Sequence, residues 1–143
     1  MDEVHLTDEM KEALAGALLG GSAVIVGTAS ADGTPDLAHK GSTMVWDEDH
    51  IAFWERAHGT TLKNIEENPK VSFLYWNPAA RKLWKFFGVA ELHATGELRE
   101  AVMARTIQLE LDRDPDRKGV AVVVRVDKVV EMGKVTMERK PAG

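Results

Sequence analysis

Between Thr7 and Gly21 the apolar positions Met10, Leu14, Ala17 and Leu18 recur at helical spacing, which predicts a first helix with one buried face. Thr7 is its expected N-cap, Asp8 and Glu9 oppose the positive end of its dipole, and Gly20-Gly21 stops it. The pattern then turns strand-like. Ser22 to Ser30 is a run of small and Val/Ile residues, and Ala31-Asp32-Gly33-Thr34 supplies an Asp-Gly hairpin turn. Pro35 opens a returning strand expected to reach about Trp46, where Asp47-Glu48-Asp49-His50 breaks it. Ile51 to Glu55 returns again, so the spacing predicts a three-strand meander.

The second half alternates in the same way. Leu62 to Glu67 reads as a short helix ended by Asn68-Pro69, because proline disfavours helix in the residue before it. Val71 to Trp76 is a strand, Asn77 to Ala80 a turn, and Lys82 to Ala94 a long strand in which Gly88 marks a bend or bulge. A helix is expected over Leu98 to Leu111, a charged loop over Asp112 to Gly119, and a last buried strand over Val120 to Val130. The reading is α+β, mainly β: one domain over residues 1–143, a small antiparallel barrel of about six to seven strands with flanking helices. Residues 1–5 and 133–143 are expected as frayed or partner-clasping ends. Both faces of Val24–Ala29 and of Val120–Val126 are apolar, so the outer face of each needs cover from a helix or a second copy of the chain.

Composition narrows the chemistry. The 143 residues include no cysteine, which excludes a disulfide framework, a thiolate zinc site and a cysteine nucleophile. A net charge of −5 argues against broad nucleic-acid binding, yet residues 68–90 carry Lys70, Arg81, Lys82 and Lys85 and no carboxylate. No signal peptide and no membrane span is legible, so a cytoplasmic protein is expected.

The most informative stretch runs from Glu55-Arg56-Ala57-His58-Gly59 into Thr60-Thr61-Leu62-Lys63-Asn64. It leads from a strand end into a helix N-terminus, whose free N–H groups and positive dipole suit a phosphate, with Lys63 one turn in. Taken alone, an ordinary N-cap and a solvated lysine account for the same residues, and the Walker pattern is absent. The five histidines form no HExxH and no i, i+4 pair, and no Gly-x-Ser-x-Gly elbow occurs. Trp46 and Trp54 flank one hairpin and Trp76 and Trp84 another, as core residues or as partners for a planar ring.

The segments Gly27–Pro35, His39–Ser42, Gly59–Ser72, Phe86–Leu92 and Val122–Val126, in that order and spacing, resemble the FMN-binding split-barrel proteins of the pyridoxamine 5′-phosphate oxidase-like superfamily. The resemblance covers about Leu6 to Met132. It implies a homodimer with FMN at the subunit interface and an oxidoreductase acting on a small molecule; a non-catalytic flavin carrier or sensor, or a barrel using F420 or haem, is the alternative. It places the phosphate at Thr60, Thr61 and Lys63, the ribityl chain and ring beside Lys40, Gly41, Ser42 and Thr43, and the ring near Trp54, Glu55 and Arg56. From the second copy it implies the hairpin bearing Trp76, Arg81, Trp84 and Lys85. The C-terminal Arg-Leu-containing substrate motif of true pyridoxamine phosphate oxidases is missing; Glu138-Arg139-Lys140-Pro141 stands there instead, so vitamin B6 oxidation is not implied.

Overall fold

The computed structural model describes residues 2–141. Helix α1 spans Asp8–Gly16, and the Thr7 hydroxyl accepts a hydrogen bond from the Met10 N–H at 3.2 Å, as an N-cap should. Strands β1 (Ile25–Ala29) and β2 (Pro35–His39) form a hairpin around the Asp32-Gly33 turn, where Gly33 adopts φ +88°. Next come β3 (Met44–Val45), β4 (His50–Glu55), α2 (Thr60–Glu67), β5 (Lys70–Asn77) and β6 (Lys82–His93). Helices α3 (Glu97–Arg105) and α4 (Gln108–Asp112) precede β7 (Val120–Glu131) and β8 (Lys134–Glu138).

One antiparallel sheet follows the order β2-β1-β5-β6-β7-β4-β3 and curls into a split barrel, with β8 also paired to β7. The expected fold class stands, but the meander does not. Strand β2 is a largely exposed edge that ends at His39, and Lys40–Thr43 is a turn closed by a Thr43 N–H···O=C Lys40 bond of 3.1 Å. Strand β4 pairs instead with β3 on one side and β7 on the other. The reason is burial: Ile51 to Glu55 are all buried, so β4 needs neighbours on both edges and cover on both faces.

Strand β7 is shared along its length: residues 120–125 pair with β4, and residues 128–131 pair with β8. Within the expected tail 133–143, Lys134–Glu138 form β8 and Asp2 bridges to Met137 beside it; residues 1, 142 and 143 of the two expected ends lie outside the described residues. The bulge expected at Gly88 is present, with the β6–β7 register slipping between Phe87 and Gly88. A Cβ at position 88 would collide with the Arg125 carbonyl oxygen, so only glycine allows this approach.

The single helix expected over 98–111 is two helices. The Thr106 hydroxyl donates to the Val102 carbonyl at 2.8 Å, and the backbone turns extended at Thr106 and Ile107 before α4 begins. Together the pair lies over the outer face of β4 and β7, where Trp54, Ala52, Val123, Val102 and Leu111 form a second apolar cluster. The main core fills the barrel with Phe53, Phe73, Phe86, Trp84, Val122, Val124 and Val126.

Candidate functional site

Strand β4 ends in Glu55, which is fully buried although ionisable. Its Oε2 accepts the N–H groups of Ala57 (3.1 Å) and His58 (3.0 Å), which fastens the turn that leads into α2. Lys40 Nζ lies 2.7 Å from the other oxygen, Oε1, as an ionic contact without good hydrogen-bond geometry. Lys40 is placed by the backbone, its N–H donating to the Val24 carbonyl at 2.9 Å.

Next along the chain, Arg56 Nε donates to Glu110 Oε2 at 2.9 Å, and Arg113 reaches the same carboxylate from α4 at 3.6 Å. Gly41 packs against this group: a Cβ there would lie 2.6 Å from Glu110 Oε1 and 3.0 Å from Leu18. A side chain at 41 would therefore push aside the ends of the Glu110 and Leu18 side chains. Ser42 is buried, and its hydroxyl both accepts from the Trp54 N–H (2.8 Å) and donates to the Trp54 carbonyl (3.2 Å). It replaces a strand neighbour for Trp54, so its proton is already committed. Thr43 likewise donates its hydroxyl to the Lys40 carbonyl at 2.7 Å.

The indole of Trp54 is buried, with Nε1 donating to Asp114 Oδ2 at 2.9 Å. Asp114 also accepts the N–H groups of Lys118 and Gly119. Burial pushes this carboxyl up, but these three bonds and the Arg117 charge outweigh it and hold it below the usual carboxylate range.

These groups border two adjoining clefts with Gly41 and Ser42 as a common wall. One, about 140 Å³, is faced by Lys40, Arg56, His39, Trp54 and Glu110. The other, about 250 Å³, lies between α1, the β3 segment and the start of α4. Ala57 lines the smaller cleft, and Gly59, the N-cap of α2, follows two residues later, no more than about 7 Å away along the chain. Gly59 offers no side-chain cap, and the first turn of α2 holds no acidic residue. Its N–H groups and the exposed Lys63 are open to an anion.

The structure thus brings Lys40, Gly41, Ser42, Thr43, Trp54, Glu55 and Arg56 together, with Thr60, Thr61 and Lys63 just beyond. Thr60 and Lys63 are exposed and Thr61 is buried. The β5–β6 hairpin is elsewhere. Trp76, Arg81 and Lys85 are exposed on it and line neither of these two clefts of their own chain. Trp84 is core: it is buried, stacks on Tyr75 at 5.4 Å, and donates Nε1 to Glu131 at 2.6 Å. Its ring faces are taken, so it is not available to stack on a ligand.

Sequence reasoning missed Glu110 and Arg113. A signal existed: Leu98, Val102, Thr106 and Glu110 recur every four residues, so Glu110 falls in line with positions that the structure buries or half-buries.

Among the described residues the donor set suits a cofactor that carries a phosphate on an otherwise near-neutral body. Lys40 and Arg56 are each balanced by a carboxylate, whereas Lys63 and the α2 N-terminus are not. No helix among the described residues is long and apolar enough to cross a membrane.

The uncharacterized protein MJ0282 of Methanocaldococcus jannaschii is 30% identical over 131 residues, 90% of this chain and 82% of that protein. HupZ of Group A Streptococcus shares the fold at a TM-score of 0.69 and 23% identity, over 96% of this chain and 98% of that one. A putative pyridoxamine 5'-phosphate oxidase of Lactobacillus delbrueckii does so at 0.71 and 23%, over 91% and 97%. The fold recurs in an FMN-binding protein of Syntrophomonas wolfei (TM-score 0.63, 16% identity, 87% and 86% covered). It recurs also in an F420 reductase (0.60, 18%, 87% and 98%) and in a heme binding protein of Mycobacterium smegmatis (0.62, 15%, 85% and 53%). The family model described as pyridoxamine 5'-phosphate oxidase matches residues 6–132, nearly the whole barrel, and the chain belongs to that family.

Proposed function

We propose that the protein is an FMN-binding oxidoreductase acting on a small organic molecule, a homodimer with the flavin held between its two copies. One observation carries this reading: an uncapped, carboxylate-free helix N-terminus opens two residues beyond a cleft faced by charge-balanced Lys40 and Arg56. The clefts of about 140 and 250 Å³ fall short of the roughly 300–1,000 Å³ of complete ligand pockets, which fits a site finished by a second copy. The exposed Trp76, Arg81 and Lys85 of that copy are the groups to finish it.

When bound, FMN supplies hydride or electron uptake and its return to an acceptor. The chain's part is to hold and shield. The N–H groups at the start of α2 and the Lys63 ammonium grip the phosphate. Glu55 pins Lys40, and Glu110 pins Arg56, so each cation keeps one orientation in the cleft. Trp54, tied through both backbone groups to Ser42 and through its indole to Asp114, gives a rigid apolar wall that excludes water.

A second reading keeps the barrel and changes the cofactor. The F420 reductase and the heme binding protein of the same fold motivate it. F420 would use the same phosphate grip, and His39, the one histidine among the residues lining the cleft, is the candidate haem ligand. A carrier or sensor would hold the flavin without turnover.

The visible spectrum of the purified protein and the mass of any released chromophore separate these readings. A protein that neither retains nor takes up FMN, F420 or haem sinks them all. Lys63→Ala should weaken FMN binding about tenfold or more, since a charge-assisted contact is worth about 1.5–3 kcal/mol. An unchanged affinity would show that the phosphate sits elsewhere. Oxidation of NADH or NADPH by the FMN-loaded protein would favour an enzyme over a carrier.

A further inference from the structure

The larger cleft has its own chemistry. Ala15, Met44, Val45 and Ile107 make apolar walls, and the charged groups on its lining are Lys11 from α1 and Arg105 from the end of α3, with no carboxylate. Arg105 is held in place. Its guanidinium lies over the Trp46 ring at 4.2 Å and donates to the carbonyls of Trp46 (3.0 Å) and Val45 (3.1 Å). Two of its five N–H donors are so used, and three are left for a ligand. The Thr43 hydroxyl is committed to Lys40 and the Ser42 hydroxyl to Trp54, so neither competes for an incoming group. A cleft of about 250 Å³ exceeds the roughly 150 Å³ that takes a benzene ring.

We infer that this cleft is the substrate side of the site and takes a small apolar carboxylate, its ring or chain against Met44, Val45 and Ile107 and its anion between Lys11 and Arg105. Two cations and no opposing acid select a negative charge, and the apolar walls select against a highly hydroxylated body. As a substrate assignment this rests on the flavin reading. The binding itself does not, because no residue of the argument touches the α2 N-terminus.

The test titrates isotope-labelled full-length protein, with and without FMN, with benzoate and with benzyl alcohol, its uncharged counterpart of similar size. Saturable shifts at Ala15, Met44, Val45 and Ile107 are expected with benzoate, with benzyl alcohol at least tenfold weaker. Lys11→Met, an exposed helix position, should weaken benzoate about fivefold and leave benzyl alcohol unchanged; Arg105→Met should act in the same sense and more strongly. Equal affinities for the two probes, or shifts that map elsewhere, overturn the inference. So does displacement of benzoate by FMN, which would make the cleft part of the cofactor site. Benzoate binding without FMN binding sinks the flavin reading and leaves the cleft; FMN binding without benzoate binding does the reverse.

Discussion

Two groups of charges cross-link this barrel, and they differ mainly in how much water reaches them. At the site, Glu55 is fully buried and Glu110 nearly so, and each is in direct contact with a cation that lines the smaller cleft. At the opposite end of β4, Arg139 joins Asp49 (3.1 Å) and Asp127 (2.9 Å), and Arg125 adds a second contact to Asp127 at 2.8 Å. There the side chains are about a third to a half exposed. The distances hardly differ between the groups, so bond length does not distinguish them. What differs is the cost of leaving one partner alone, which is severe in a dry site and small in a wet one.

The largest effect should come from Glu55→Ala. It strands the half-buried Lys40 and two backbone N–H groups, those of Ala57 and His58. A loss of about 3 kcal/mol is expected, read as a fall in the urea midpoint. Glu55→Gln keeps an acceptor for the two N–H groups and should lose less. Adding Lys40→Met to Glu55→Ala should recover part of the loss, because the unpaired charge goes with it. If Glu55→Ala costs no more than Arg139→Ala, burial is not what separates the two groups.

Asp114 falls between them, being buried but bonded to neutral donors. Asp114→Ala removes the partners of Trp54 Nε1 and of the Lys118 and Gly119 N–H groups, an expected loss of about 2–3 kcal/mol. A double-mutant cycle with Trp54→Phe checks the coupling: the pair should cost less than the sum of the single changes. Additive losses would mean that the indole contact contributes little and that Asp114 acts through the loop.

Local structure was legible where one residue type has few alternatives. Thr7 as a cap, the Asp32-Gly33 turn, the α2 stop at Asn68-Pro69 and the Gly88 bulge all follow from backbone sterics and orphan N–H groups. Pairing was not legible. The apolar run Ile51–Trp54 demands burial on both faces but does not say that β7, some 70 residues later, provides the neighbouring edge. For the site, Lys40–Thr43 and Trp54–Lys63 are singled out by the family resemblance, since taken alone an ordinary N-cap and a solvated lysine account for the same helix start. For Glu110 the four-residue spacing with Leu98, Val102 and Thr106 signals only burial; that it belongs to the site shows when Arg56 is seen beside it. Trp84 failed the other way, since an aromatic in a hairpin reads alike whether it faces the core or a ligand.

The wet cluster is best probed by pH. Partial burial pushes the Asp49 and Asp127 carboxyls up. For Asp49 the Arg139 hydrogen bond and the His50 charge outweigh this; for Asp127 the Arg125 and Arg139 contacts do. Both therefore titrate below the usual carboxylate range, and the folded state holds fewer protons than the unfolded one. The stability they supply is fully present above the unfolded value of about 3.9 and is lost as pH falls through the folded values. Solvent screening keeps each pair to about 1 kcal/mol or less. Arg139→Ala should therefore shift the urea midpoint only slightly at neutral pH and less still in high salt. Its clearer signature is a shallower loss of stability on acidification, since Asp49 then returns toward its unfolded titration while Asp127 keeps Arg125. If acid sensitivity is unchanged in Arg139→Ala, the slope belongs to buried carboxylates such as Asp114, and the exposed clamp fixes where the last strand lies without holding it there.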